Sequence, residues 1–319
     1  MDSRPYPPAP EWDRRSWPDG GRVDQFSAAD GWPLRRYRLG SGARGHMLVM
    51  GGRGDMIEKF LEVIVHWAGL GWAVTSFDWR GQGGSGRLAA DPLTGHIEDF
   101  SQWLDDLGGI AQAWERDAGP APRAMIGHSM GGHLLLRALA ERRVAPDAAV
   151  LVAPMLGVHS APLPARGAWA LARLACAVGL AKRQAWTQRE ESAHQRRMRE
   201  QRLTHDPARY ADELWWRAHD PAIALGPPSW RWVEQAFASM AALERPGVLE
   251  NVATPLLLLA ARRDKLVRTD AICAAAARLP DARLHVYGPE SAHEILREWD
   301  WVRLDALARI DSFLDERAP

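Results

Sequence analysis

The chain has 319 residues, 46% of them hydrophobic and 25% charged, and its 40 basic and 40 acidic side chains cancel to a formal net charge of zero. Such a composition suits a folded globular chain, and balanced charge provides no field to draw in nucleic acid. Two cysteines far apart in sequence, Cys176 and Cys273, give no disulfide framework and fit a reducing, cytoplasmic setting.

Residues 1–20 contain Pro5, Pro7, Pro8, Pro10 and Pro18 and read as an extended arm, without the apolar run of a secretory leader. Arg22–Phe26 and Trp32–Leu39 flank the turn residues Ala29, Asp30 and Gly31, which predicts an opening hairpin. Short apolar runs then alternate with helical patterns. His46–Met50, Trp72–Trp79, Arg123–His128 and Ala148–Ala153 are predicted strands. Met56–Leu70, Ile97–Glu115 and Met130–Arg142 are predicted helices, the first with Phe60, Ile64, Trp67 and Leu70 at helical spacing. Apolar strands alternating with helices imply a mostly parallel sheet covered on both faces. From 158 to 249 this rhythm stops, in a stretch rich in Arg, Ala and Trp that contains seven prolines. It resumes with a strand at Pro255–Leu259, a helix at Asp270–Leu279, a strand at Arg283–Tyr287 and a helix at Glu294–Leu314. The predicted organisation is an arm over 1–20, an α/β core over 21–157 and 250–319, and a mostly helical insertion over 158–249, too long for an ordinary loop. Its most apolar stretch, Leu171–Ala181, is too short to span a bilayer.

Gly127-His128-Ser129-Met130-Gly131 fits G-x-S-x-G between a predicted strand and a predicted helix, the turn that lifts a serine to the carboxyl end of a sheet. A serine hydroxyl needs a base. Of eleven histidines, His128 adjoins Ser129 and its side chain should point away, while His133 and His285 lie inside predicted elements. His293 lies in the loop after the last strand, at the same end of the sheet. Asp264, beyond the strand at 255–259, is placed to orient that imidazole; Asp270 fits better in the first turn of the next helix. The chain order Ser, Asp, His is that of the α/β-hydrolases. The expected oxyanion donors are the backbone N–H groups of Met130 and Arg53, the latter in the loop Gly51-Gly52-Arg53-Gly54-Asp55. Gly81–Gly86 also fits G-x-G-x-x-G, but Pro92 and turn formers follow it in place of a helix, so no phosphate site is expected. Asp78 reads as the anchor of that loop. No metal-ligand spacing is present.

Together these motifs resemble the monoacylglycerol lipase and lysophospholipase branch of the α/β-hydrolases over about residues 22–315. The segments Lys59-Phe60, Phe77–Gly83, Leu203–Pro207 and Ala224–Pro228 with Trp232 add to the likeness, while Gly51-Gly52 stands where such sequences often carry His-Gly. The resemblance implies that the insertion is a cap, whose Trp169, Trp186, Trp215, Trp216, Trp230 and Trp232 could line an acyl tunnel. Gly52, His128, Trp215 and Trp232 are the expected substrate contacts. Between Lys182 and Arg202, seven basic residues face three acidic ones; the run reads as a solvated helix face, with a patch for lipid headgroups or an anionic membrane as the sharper alternative. The expected activity is cleavage of a carboxylic ester, a lysophospholipid or monoacylglycerol, by a cytoplasmic protein that needs no cofactor or protein partner and can touch the inner membrane face through its cap. Two alternatives stand beside it. One is a prolyl aminopeptidase-like amide hydrolase using Asp206, Asp212, Glu213 or Asp220 to hold an ammonium. The other is a ligand-binding protein with a vestigial triad.

Overall fold

The structure, a computed structural model, describes residues 12–186 and 193–319, the side chains of 193–196 excepted. Eight strands form one sheet in the order β1-β2-β4-β3-β5-β6-β7-β8. β1 (Arg22–Ser27) and β2 (Pro33–Leu39) are the antiparallel hairpin. They are followed in sequence by β3 (Gly45–Met50), β4 (Trp72–Phe77), β5 (Arg123–His128), β6 (Ala148–Val152), β7 (Leu256–Ala261) and β8 (Ala282–Tyr287). β2 joins β4 antiparallel, and β3 to β8 run parallel. β3, β5, β6 and β7 are apolar almost throughout because helices cover both of their faces, whereas β8, at the sheet edge, exposes Arg283 and Leu284. In register, Met50 lies beside Gly127, His128 beside Val152 and Ala261 beside Tyr287. The loops that leave β3, β5, β7 and β8 therefore emerge along one rim.

Five helices flank the sheet: α1 (Leu61–Gly69), α2 (Phe100–Ala118), α3 (Met130–Ala140), α8 (Thr269–Ala276) and α9 (Asp300–Arg317). α2 buries Phe100, Trp103, Leu104, Leu107, Ile110, Ala111 and Trp114, a stripe at steps of three and four. Asp99 caps it by accepting the Ser101 N–H, and Gly119 at φ 58° ends it. That cap moves the start three residues beyond the predicted Ile97. The last predicted helix also starts later, at Asp300. Ile295–Arg297 form a separate 3-10 turn, and Glu298, fully buried, accepts the amides of Ala292 at 2.7 Å and His205 at 3.1 Å, which ties the chain ahead of the helix to residue 205.

Between β6 and β7 the chain makes a helical excursion: α4 (Ala165–Ala175), α5 (Ala193–Leu203), α6 (Pro207–His219) and α7 (Trp230–Glu244). Asp206 caps α6 ahead of Pro207, and Ser229 caps α7. Trp216, Trp232, Phe237, Met240 and Leu243 are buried and continuous with the core. The predicted arm is a packed turn from residue 12 onward, because its tryptophans have somewhere to go. Trp17 lies 5.0 Å from Tyr37 and 5.8 Å from Trp216, and Arg14 and Arg15 both pair with Asp212. Residues 1–11 lie outside the described residues. Among those described, no helix is long and apolar enough to cross a membrane.

Candidate active site

Ser129 stands between β5 and α3 at φ 53°, ψ −115°, a strained conformation for a residue with a side chain. The tightness of the turn dictates its neighbours. A Cβ on Gly127 would lie 2.7 Å from the Gly131 backbone, and one on Gly132 would lie 2.8 Å from the Gly127 carbonyl. At Gly131 it would collide with the Gly51 carbonyl. Glycine at 127, 131 and 132 is thus a steric requirement of bringing α3 against β5 and β3. The turn is held by the Ser129 N–H donating to Val152 at 2.9 Å and by the Ser129 carbonyl accepting the Met155 N–H at 3.0 Å.

The loops after β7 and β8 bring Asp264 and His293 to the same rim. His293 Nε2 lies 2.9 Å from Ser129 Oγ, and its Nδ1 lies 2.6 Å from Asp264 Oδ2. An ionised carboxylate only accepts, so Nδ1 carries the proton and Nε2 is left to accept from the hydroxyl. The other oxygen of Asp264 accepts the Leu266 and Val267 amides at 2.7 and 2.9 Å. Burial alone would raise the Asp264 carboxyl, but the imidazole and the two amides hold it below its ordinary value. Burial likewise opposes the imidazolium, yet Asp264 outweighs it and raises His293 above its ordinary 6.5. Asp270 is in the first turn of α8, paired with Arg268 at the surface. His133 is fully buried against Ser239 of α7, at 2.6 Å, and desolvation drops its pKa to about 3. His285 is half-buried on β8, edge-on to Tyr287.

The loop Gly51–Asp55 lies directly on the serine, since a Cβ on Gly52 would be 2.9 Å from Ser129 Cβ. It is pinned from several directions. Trp79 donates to the Gly51 carbonyl at 2.8 Å, Gly52 N–H to Asp55 Oδ2 at 2.6 Å, and Gly54 N–H to Gln82 Oε1 at 2.5 Å. Gly51 could not carry a side chain here, because its Cβ would press on Phe60 and Asp55 at 2.9 Å. Asp78 anchors the neighbouring loop, accepting the Ile57 and Gly84 amides and pairing with Arg35. No helix follows Gly81–Gly86 until α2, in agreement with its reading as a turn.

Beneath the loop lies an ionic cluster that the sequence did not reveal. Lys59 Nζ contacts Asp55 at 2.5 Å, Glu294 at 2.7 Å and Glu213 at 3.1 Å, while Arg217 and Arg297 also bind Glu213. All three carboxylates are buried. Burial would raise each, and Lys59 overrides it, holding Asp55 well below its ordinary range and lowering Glu213 and Glu294. The i, i+4 spacing of Asp55 and Lys59 was a signal, but Glu213 and Glu294 come from distant elements. The other expected ammonium ligands are engaged as well: Asp206 and Asp220 as helix caps, Asp212 by Arg14 and Arg15.

Ser129 and His293 open into a cavity of about 870 Å³ walled by Met155, Val158, Leu225, Trp232 and Leu266 among others. Gly52, His128 and Trp232 line it. The His128 ring is 4.9 Å from that of His293, with Nδ1 3.2 Å from Asp55. Trp215 is a correction. It stacks on His219 at 4.7 Å with Arg15 over its ring, away from the cavity wall, because its neighbour Trp216 takes the inward face of α6. Of the basic run, Arg199 and Arg202 line the cavity, residues 187–192 lie outside the described residues, and no side chain is described for Arg196. The two insertion motifs are clips. Leu203 accepts the Glu294 N–H at 2.7 Å and Thr204 Oγ1 donates to the Arg297 carbonyl at 2.7 Å, beside His293. Gly226 donates to Leu93 and Pro227 accepts from Gly95.

This fold has counterparts among known proteins. A family model described as "Serine aminopeptidase, S33" matches residues 41–300. Lysophospholipase L2 of Escherichia coli is 32% identical over 310 residues, covering 91% of this chain and 86% of its own length. Probable lysophospholipase L2 of Haemophilus influenzae is 28% identical over 275 residues, covering 86% and 85%. A soluble variant of the Saccharomyces cerevisiae monoglyceride lipase, solved with a substrate analog, has the same fold: TM-score 0.76 at 18% identity, over 98% of this chain and 100% of that one. The chain belongs to the serine aminopeptidase S33 family of α/β-hydrolases, on the branch of the lysophospholipases and monoacylglycerol lipases.

Proposed function

We propose that this protein is a serine esterase that cleaves the acyl ester of monoacyl lipids, with Ser129 as nucleophile, His293 as general base and Asp264 as the carboxylate that orients it. The observation that carries the reading is the hydrogen-bonded line Ser129–His293–Asp264 at the wall of a cavity large enough for an acyl chain. Ser129 Oγ attacks the ester carbonyl as His293 takes its proton; the imidazolium then protonates the departing glyceryl oxygen, and water repeats the sequence to release the fatty acid. Met130 begins α3, so its N–H has no intrahelical partner and can donate to the oxyanion. Arg53 N–H is the second proposed donor, since the Gly52 and Gly54 amides on either side are engaged by Asp55 and Gln82. No cofactor enters this scheme.

The segment 158–249 is the proposed cap, and Gly52, His128 and Trp232 the proposed substrate contacts. Amide hydrolysis at a free amino terminus is disfavoured, because the carboxylates on the cavity wall, Asp55, Glu213 and Glu294, are each bound by a cation. The proposed place of action is the cytoplasmic face of a membrane, met through α4 and the turn after it, which expose Leu171, Leu174 and Val178. Replacing Ser129 with Ala should lower kcat on the order of 10⁶-fold and abolish labelling by a fluorophosphonate. Turnover near that of the wild type would end this assignment.

A further inference from the structure

Arg53 was singled out for its amide, but its side chain is the more unusual feature. The guanidinium extends into the same cavity as Ser129 and His293. One amino group donates to the Gly226 carbonyl, and Cζ lies 5.4 Å from the Trp232 ring centroid. The Nε–H is buried and has no hydrogen-bond partner. Among the described residues no carboxylate lies within 4.0 Å of it, whereas Lys59, Arg209, Arg217 and Arg297 all have one. Arg199 and Arg202 line the same cavity, as do Lys59 and Arg217 with the carboxylates Asp55, Glu213 and Glu294 that they bind. Desolvation, with Arg199 and Arg217 nearby, lowers the Arg53 pKa to about 10, which still leaves the group charged near neutral pH. A partly buried cation without a carboxylate partner among the described residues, its Nε–H unused, is an arrangement that an anion would relieve.

We propose that Arg53 receives the phosphodiester of the substrate headgroup, so that the enzyme prefers lysophospholipids to neutral monoacylglycerols. The proposal rests on the esterase reading above and names the substrate class within it. A guanidinium fork suits a tetrahedral anion with several acceptor oxygens. Position agrees as well. Residue 53 follows the glycine that lies against Ser129, and in a lysophospholipid the phosphodiester is separated from the scissile ester by the glycerol backbone, a span comparable to an extended arginine side chain.

The test compares kcat/KM for oleoyl lysophosphatidylethanolamine and monooleoylglycerol in the same detergent micelles, using the full chain. The wild type should favour the phospholipid, and Arg53→Gln should lower the phospholipid-to-glyceride ratio about 10- to 100-fold, the worth of a charge-assisted hydrogen bond. Arg53→Lys, which keeps the charge, should recover part of the ratio. A second measurement needs no variant: glycerol 3-phosphate should compete with p-nitrophenyl butyrate in the wild type, and glycerol should not. An unchanged ratio in Arg53→Gln, or an equal fall on both lipids, overturns the proposal. Inhibition by inorganic phosphate with an unchanged ratio would assign the cation to a free anion and overturn the headgroup role equally. Hydrolysis of the p-nitrophenyl ester by the wild type and its loss in Ser129→Ala test the esterase reading separately, so that the two can fail apart.

Discussion

At the scale of single residues, the pairing of His293 with Asp264 makes a statement about pH. Only the neutral imidazole can accept the Ser129 proton, and Asp264 raises the His293 pKa above 6.5 against the desolvation that would lower it. The value of kcat/KM should therefore climb with pH through a midpoint above 6.5 and level off beyond it. Asp264→Asn removes the charge that raises it, so the midpoint should move down while kcat falls about 10⁴-fold through loss of the correct tautomer. A pH–rate profile of both proteins from roughly pH 5 to 9 checks this; an unmoved midpoint in the variant would contradict it. Ser129, Asp264 and His293 could be found in the sequence because each sits at a loop whose place follows from local pattern. A glycine-bounded serine after a strand, an aspartate after the next-to-last strand and a histidine after the last strand need no knowledge of distant contacts. Trp215 and Trp216 show the opposite case. Which of two adjacent tryptophans faces inward depends on the rotational setting of α6, and that is fixed by packing against Trp17 and Arg14, about 200 residues earlier in the chain.

At the scale of elements, apolar strands covered on both faces are legible as continuous runs, and the predicted strands agree with those of the sheet to within two residues at either end. Helix starts were less legible where a distant contact shapes the approach to them, as the His205 amide does through Glu298 ahead of α9. The ionic cluster under the oxyanion loop is likewise a product of assembly. It joins the turn before α1, α6 of the excursion and the loop after β8 through Lys59. Replacing Lys59 with Met would keep most of the volume and leave Asp55, Glu213 and Glu294 buried with less countercharge. The expected cost is about 3–5 kcal/mol, visible as a lowered urea midpoint of the full chain. A loss under about 1 kcal/mol would mean that Arg217 and Arg297 suffice to neutralise the cluster.

At the scale of the whole molecule, the excursion between β6 and β7 carries three large apolar side chains that are strongly exposed and close together in sequence: Leu171 at 44%, Leu174 at 60% and Val178 at 63%. Trp186, 57% exposed, stands on the cavity wall close to them in sequence. Exposed apolar groups on an excursion that also walls a lipid-sized cavity suit contact with a bilayer. Leu174→Glu with Val178→Glu should reduce co-sedimentation with anionic phospholipid vesicles while p-nitrophenyl butyrate is still hydrolysed. Equal sedimentation of the two proteins would remove this face from consideration. The clip between Leu203–Thr204 and the chain at 294–297 has a mechanical side. It ties the junction of α5 and α6 to the segment that carries the imidazole, so any swing of that junction away from the sheet would drag His293 off the serine. The α5–α6 junction therefore behaves as a fixed jamb beside the nucleophile, and a fatty tail must be admitted without moving it.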